Sequence, residues 1–280
     1  MLNPREIAHS KRLFVIAGPC VVESKECLQA VARVMEPLCV ALDVPYIFKA
    51  SYRKANRTSG GSFESLGDEK ALSYLAEIRA EFDVPVLTDI HSAEEAALAA
   101  KYVDVLQIPA FLSRQSDILR AAADTGKIVN IKKGQFLAPE DMQKAVEKIS
   151  PPEKPYPVWV TERGTSFGYH DLVVDMRSLV MMRDSLRRTD NHRIPIIYDA
   201  THSVQQPSVG AQSGGKREFI APLTRAAIAV GIDGLFFETH PNPAEAKSDA
   251  ATQLPLAEAE HFLRTIVELH ETVQRLTGNA

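Results

Sequence analysis

VPVLTDIHSAEEAALAAKYVDVLQIPAFLSRQSDILRAAADTGKIVNIKK, residues 84–133, decides the fold. Three β-rich runs, VPVLTDI (84–90), VDVLQIP (103–109) and IVNIKK (128–133), are separated by two helical patterns, SAEEAALAAKY and SRQSDILRAAADTG. The runs are nearly continuously apolar, as expected of strands covered by helices on their faces. Strand–helix–strand alternation predicts βαβ units and a parallel sheet. The same rhythm extends both ways, through LFVIAG (13–18) and YIFKAS (46–51) before the stretch and VWVTER (158–163), IPIIYDAT (194–201) and GLFFET (234–239) after it. Eight such units predict one (β/α)8 barrel domain over residues 1–280, with a doubly wound open sheet as the alternative. The longest irregular stretch, HSVQQPSVGAQSGGK (202–216), reads as a mobile loop over a site.

Composition narrows the function classes. The chain has 280 residues, 45% hydrophobic, and a net charge of −4. That balance suits a full core and argues against nucleic-acid or membrane-surface binding. No apolar run approaches the ~20 residues that cross a bilayer. The polar start MLNPREIAHSKRLF lacks an apolar signal segment, which predicts a cytoplasmic protein. Three widely spaced cysteines do not form a disulfide framework, and Cys27 and Cys39 read as core residues of the first long helix. Trp159, inside a strand, reads as packing.

Barrel chemistry is found at the carboxyl ends of the strands. Those ends carry, in order, Cys20; Lys49 with Lys54; Asp89 and His91; Gln107; Lys132 with Lys133; Glu162 with Arg163; Asp199 with His202; and Glu238 with His240. Two subsets stand out. Lys49, Lys54, Arg57, Lys132, Lys133 and Arg163 predict a cationic ring suited to phosphate or carboxylate. Cys20, His202, Glu238 and Asp249 combine a thiol, an imidazole and two carboxylates, donors for a first-row divalent metal such as Zn²⁺, Fe²⁺ or Mn²⁺. The residue pattern alone leaves other readings open: Cys20 as a buried small residue, Cys20 as a nucleophile with His202 as base, and Lys132 or Lys49 as a Schiff-base lysine.

The segments IAGPC, FKAS with KANRTS, TDIH, QIPAFLSRQ, NIKKGQF, TERGTSFGY, YDATHSVQQP and FFETHPNP…KSDATQLPL follow one another, one per βα unit. Together, over residues 13–256, they resemble 3-deoxy-D-manno-octulosonate 8-phosphate synthase. The related 3-deoxy-D-arabino-heptulosonate 7-phosphate synthase shares the barrel and the phosphoenolpyruvate site. It carries a KPRT-type sequence where this chain has KANRTS.

The resemblance implies condensation of phosphoenolpyruvate with D-arabinose 5-phosphate, a step towards lipopolysaccharide, by a homotetramer. It implies that Lys49 and Lys54 hold the phosphoenolpyruvate carboxylate, and that Ser51, Gln107, Ala110, Lys132 and Arg163 surround its phosphate. Asn56 and Asp89 would meet the sugar hydroxyls, and Arg57 and Thr58 the sugar phosphate. Lys49, Lys54, Asp89, Lys132 and His202 are the implied catalytic set. The family has a metal-free branch with asparagine at the end of the first strand and a metal-dependent branch with cysteine there. Cys20, with His202, Glu238 and Asp249, matches the second, which implies a divalent Mn, Fe, Zn or Co ion. One departure follows KANRTS: the family's Arg-Gly-Pro-Gly loop is replaced by GGSFESLGDEK, with Glu64 in the place of arginine.

Overall fold

Eight parallel strands close on themselves. They are β1 (Phe14–Gly18), β2 (Tyr46–Lys49), β3 (Val86–Asp89), β4 (Val105–Ile108), β5 (Ile128–Lys132), β6 (Val158–Glu162), β7 (Ile196–Asp199) and β8 (Gly234–His240). Each pairs in parallel with its neighbour in chain order, and β8 pairs with β1 along Phe14–Gly18 and Gly234–Glu238. That last pairing makes the sheet a barrel and removes the open-sheet alternative. This computed structural model describes residues 3–10, 12–55, 63–151, 153, 156–187, 193–207 and 214–278, apart from the side chains of residues 8 and 9. Among them, no helix is long and apolar enough to cross a membrane.

Helices α1 (Pro4–His9), α2 (Lys25–Ala41), α3 (Asp68–Phe82), α4 (Ala93–Ala99), α5 (Ser116–Asp124), α6 (Met142–Glu147), α7 (Arg177–Ser185), α8 (Ile220–Val230) and α9 (Ala259–Thr277) complete the fold. All but α1 follow strands. Local sequence explains the helices. In α2 the Ser24 hydroxyl caps the first turn by accepting the Cys27 N–H at 3.1 Å. The same helix buries Leu28, Val31, Ala32, Met35, Leu38 and Cys39 at helical spacing. In α1 Pro4 occupies the first turn, where a missing N–H costs nothing, and Ile7 is buried.

Two apolar clusters follow from strand alternation. Val15, Phe48, Val86, Leu106, Val129, Val160, Ile196 and Phe237 face the helices in one cluster. Phe14, Ile16, Ile47, Leu87, Val105, Ile128, Trp159, Ile197 and Phe236 form the other, which fills the barrel and is joined by Ile7 from α1. Trp159 is thus core, as expected, tilted against Phe14 at 5.2 Å between ring centroids. Because side chains alternate with period two, counting on two residues from each filling residue finds what faces the mouth. That count reaches Gly18, Lys49, Asp89, Gln107, Asn130, Thr161, Asp199 and Glu238, and one step further Cys20, Lys132 and Arg163. Gly18 is required at its position, since a Cβ there would lie 2.0 Å from the Lys49 carbonyl oxygen.

The described ends of the stretch after β7, residues 202–207 and 214–216, are folded. A 3-10 turn, His202–Val204, leads into Gln205–Gln206, which pairs antiparallel with Gly214–Gly215. Gly215 packs against Thr252, where a Cβ would lie 2.0 Å from the threonine methyl. Residues 208–213 of the stretch lie outside the described residues.

Candidate active site

The floor of the mouth is the Phe236 ring, with Lys132 Nζ 3.9 Å and Lys49 Nζ 5.5 Å from its centroid. Lys49 is buried and donates to Glu238 Oε1 at 2.5 Å and to the Cys20 carbonyl at 3.0 Å. Lys132 is buried beside Asp199, with Nζ 2.7 Å from Oδ2, and lies 3.3 Å from His202 Nδ1. Lys54 lies 3.7 Å from Asp249 Oδ2. Arg163 donates through Nη2 to Gln205 Oε1 at 3.0 Å, whereas its buried Nη1 has no partner among the described residues. A buried guanidinium nitrogen without an acceptor is costly unless an anion completes it.

The carboxylates are held ionised by this cation set. Burial would raise Asp89, but Lys49, Lys54 and Lys132 outweigh it and keep its carboxyl well below the usual range. Burial also opposes Asp199, which His202 and Lys132 hold down, and Glu238, which Lys49 and His202 hold down. Lys132 itself is lowered, since desolvation outweighs the attraction of Asp199 and Asp89. Its pairing with Asp199 suits a fixed cation better than a free amine nucleophile.

A chain of amide hydrogen bonds crosses four strands beneath the mouth. Thr161 Oγ1 donates to Asn130 Oδ1 at 2.8 Å, and Asn130 Nδ2 donates to Gln107 Oε1 at 2.9 Å. Gln107 Nε2 then donates to Asp89 Oδ1, while the Ser51 hydroxyl donates to Asp89 Oδ2. Each link fixes the next side chain, so Asp89 is immobilised from both sides. Ala110, just past β4, is buried and accepts the Ser113 hydroxyl at 2.8 Å through its carbonyl.

The four donor residues converge from three distant segments. Cys20 Sγ donates to Asp249 Oδ2 at 3.0 Å, and ligating atoms of Cys20, Glu238 and Asp249 lie within 4.8 Å of one another. His202 Nε2 is 3.7 Å from Glu238 Oε1 and 3.9 Å from Asp249 Oδ2. His202 Nδ1 lies 2.8 Å from Asp199 Oδ2, and Asp199 Oδ1 also accepts the His202 backbone N–H at 2.9 Å. Asp199 therefore accepts a hydrogen bond from Nδ1–H and turns the Nε2 lone pair toward the carboxylates, the arrangement that orients metal-ligating histidines. Glu238 Oε2 is buried with no partner among the described residues. Burial first, then Asp249 and Glu238, push the Cys20 thiol up, so the cluster as it stands favours a protonated sulfur. A thiol, an imidazole lone pair, two carboxylates and an orphaned carboxylate oxygen fit a divalent cation.

Several strand-end residues point elsewhere. Lys133, counted above in the cationic ring, is buried outside the barrel and donates to Thr165 Oγ1 at 3.0 Å and to the Gly164 carbonyl at 3.3 Å. Glu162 lies outside too, accepting the Gly164 N–H at 2.6 Å and the Ser178 hydroxyl at 2.8 Å. Both belong to the opposite strand parity. His240 pairs with Glu23 and His91 with Glu95, so neither faces the mouth cluster. Cys27 is half-buried beside Glu23 rather than in the core, whereas Cys39 is buried as expected. Asn56, Arg57 and Thr58 lie outside the described residues. Asp199, a strand-end residue outside both sequence subsets, joins the site, and so do Asn130, Thr161 and Gln253, of which strand parity points to the first two.

The base of the KANRTS segment is clamped. Glu95 accepts the Tyr52 hydroxyl at 2.5 Å, the Arg53 guanidinium and the His91 N–H at 2.8 Å, and Arg53 also reaches Asp68 at 3.1 Å. Burial would raise Glu95, but the hydrogen bonds from His91 and Tyr52 prevail and hold it at about 2. Its unfolded value is about 4.3. A depressed carboxyl contributes stability that is present above about pH 4.3 and is lost as pH falls toward 2. Glu95→Gln should therefore cost stability at pH 7, and the gap from the parent should narrow through that window. Urea midpoints measured against pH check this; a gap independent of pH would contradict it.

The chain is similar to known proteins over nearly its whole length. The family model described as the DAHP synthetase I family matches residues 5–275. A 2-dehydro-3-deoxyphosphooctonate aldolase of Burkholderia mallei (strain SAVP1) is 49% identical over 277 residues, covering 97% of this chain and 95% of its own length. A protein of the same name from Koribacter versatilis (strain Ellin345) is 52% identical over 266 residues, covering 94% and 92%. Another, from Azoarcus sp. (strain BH72), is 49% identical over 271 residues, covering 96% and 95%. With a closed barrel, a cationic mouth and a family match over nearly its whole length, this chain belongs to the DAHP synthetase I family.

Proposed function

We propose that the chain is a 3-deoxy-D-manno-octulosonate 8-phosphate synthase that joins phosphoenolpyruvate, D-arabinose 5-phosphate and water, releasing inorganic phosphate. The observation that carries this is the set of buried Lys49, Lys132 and Arg163 with partly buried Lys54, and with Arg163 Nη1 lacking an acceptor among the described residues. The relatives at 49–52% identity, named for the octulosonate enzyme, favour arabinose 5-phosphate over erythrose 4-phosphate.

In this reading C3 of phosphoenolpyruvate forms a bond to the aldehyde carbon, whose oxygen takes up a proton. Water adds at C2, and the C2–O bond to phosphate breaks. Lys49 and Lys54 hold the carboxylate, and Lys132 and Arg163 hold the phosphate, with Ser51, Gln107 and Ala110 around it. Fixed cations in a buried mouth stabilise charge as it develops, with no reorganisation at the moment of reaction. Asp89, immobilised through Gln107 and Ser51, and Asn56 meet sugar hydroxyls, while Arg57 and Thr58 bind the sugar phosphate. Cys20, His202, Glu238 and Asp249 hold a divalent cation. When bound, it supplies a positive charge for the aldehyde oxygen or a water molecule. Lys132, beside both Asp199 and His202, couples the phosphate site to the imidazole. The reading includes a cytoplasmic location and a homotetramer. Phe111, Phe136, Phe167 and Tyr169, exposed in loops after β4, β5 and β6, favour contact with further copies.

The test is phosphate release from phosphoenolpyruvate with either aldehyde, with and without chelator. Arabinose 5-phosphate should be strongly preferred, and chelation should abolish turnover until Mn²⁺, Fe²⁺, Zn²⁺ or Co²⁺ is restored. Preference for erythrose 4-phosphate would move the chain to the heptulosonate reaction. Full activity after metal removal would end the metal reading.

A further inference from the structure

Outside the mouth, Glu23, Cys27 and His240 form a second group of donor-type side chains, with ligating atoms within 4.8 Å of one another. Their hydrogen bonds argue against a second metal site. His240 Nδ1 accepts the Asn242 N–H at 3.0 Å, which leaves the ring proton on Nε2. Nε2 donates that proton to Glu23 Oε1 at 2.5 Å. Glu23 Oε2 accepts the Lys247 N–H at 2.9 Å. Both carboxylate oxygens and both ring nitrogens are engaged within the protein.

The placement of these partners gives the cluster another use. Glu23 is three residues beyond Cys20, His240 two beyond Glu238, and Lys247 two before Asp249. One carboxylate thus ties the segment before α2 to two points of the stretch that ends β8 and follows it, and each of the three positions lies within three residues of one donor of the proposed cation site. Gln253 adds a parallel tie: its Oε1 accepts the Cys20 N–H at 3.2 Å, and its Nε2 donates to the Ser248 carbonyl at 2.8 Å. The loop needs holding, because Asp249 is left-handed, with φ of 47°. The Thr252 and Gln253 N–H groups close a turn onto its carbonyl at 3.0 and 3.2 Å. The Cys20 Sγ–Asp249 contact is given up when both groups ligate a cation, and among the described residues the Glu23 and Gln253 ties then remain to join Cys20 to the loop after β8.

We infer that the Glu23–His240 pair is a positioning device that holds Cys20, Glu238 and Asp249 in register and so sets how tightly the chain retains a divalent cation, touching neither the cation nor a substrate. The inference rests on the metal reading of the proposed function. Outer-shell partners of this kind are typically worth ~10–100-fold in metal affinity.

The experiment titrates the full chain, stripped of metal, with Co²⁺ against a chelating indicator. Sulfur-to-cobalt charge-transfer absorption reports ligation by Cys20. Glu23→Ala should weaken Co²⁺ binding by ~10–100-fold. Glu23→Gln keeps an acceptor for the Lys247 N–H and should fall between Glu23→Ala and the parent. At saturating Co²⁺ the variants should regain the absorption band and turnover, a recovery that a general folding defect would not show. If Glu23→Ala does not fold, Glu23→Gln decides by the same titration. Parent-like affinity in a folded variant, even with a lowered unfolding midpoint, would overturn the inference and leave the metal reading standing. A parent chain that binds Co²⁺ without the charge-transfer band would overturn the metal reading and the inference with it.

Discussion

Replacing Lys132 by alanine should lower kcat/KM by ~10²–10³-fold, the cost of deleting one preorganised charge donor from a reacting site. Three contacts concentrate the effect: Asp199 at 2.7 Å, His202 Nδ1 at 3.3 Å and the Phe236 ring at 3.9 Å. The fall should be carried by kcat as well as by KM for phosphoenolpyruvate, because a phosphate held by Lys132 gains charge as it leaves. Stability should fall too. Asp199 would keep its hydrogen bonds with His202 but lose its lysine partner, and breaking a buried pair costs ~3–5 kcal/mol. Lys132→Arg separates the two effects. It keeps the charge beside Asp199 but replaces a compact ammonium with a planar fork, so stability should recover more than turnover. Lys133→Met is the comparator, since Lys133 binds backbone carbonyls and Thr165 outside the barrel. It should reduce stability with little change in either KM. Steady-state kinetics and urea midpoints of the three variants decide the matter. Unchanged kcat/KM in Lys132→Ala would remove it from the site.

The contrast between these adjacent lysines shows what the sequence could and could not reveal. Apolar runs alternating with amphipathic stretches identify eight βα units, because each run must be covered on both faces. Polar strand ends alone do not identify the mouth. Lys133 and Glu162 end strands as plainly as Lys132 and Asp199 do, but the pleat turns them toward the helices. Parity relative to a barrel-filling residue separates the two sets, and it also finds Asn130 and Thr161, two residues on from Ile128 and Trp159. The proposed cation site is a different case. Asp249 meets Cys20 across 229 residues of chain, through a loop shaped by Glu23, Gln253 and a left-handed backbone. No periodicity encodes that contact. Donor chemistry and the FFETHPNP…KSDATQLPL resemblance point to these residues, and only the folded loop brings them together.

Cys20→Ser should produce the second large effect. Serine fits the same buried space and can still donate to Asp249, so the fold should persist and the loss should be chemical. A hydroxyl does not ionise as a thiol does when a cation binds, and it replaces a soft donor with a hard one. Retained metal should fall from about one ion per chain to a small fraction, and turnover should drop by more than the ~10–100-fold that outer-shell changes cause. Excess cation should restore part of the activity, most with oxygen-preferring Mn²⁺ and least with Zn²⁺. Metal content after gel filtration and rates across a cation series measure both. The geometry makes the expectation asymmetric. His202 is held by Asp199 and Glu238 by Lys49, so both donors stay in place without the sulfur. Asp249, by contrast, depends on the Cys20 side of the mouth for its position. A serine variant that kept its metal and full rate would mean that His202, Glu238 and Asp249 suffice. Cys20 would then be what it is in isolation, a small buried side chain at the end of β1.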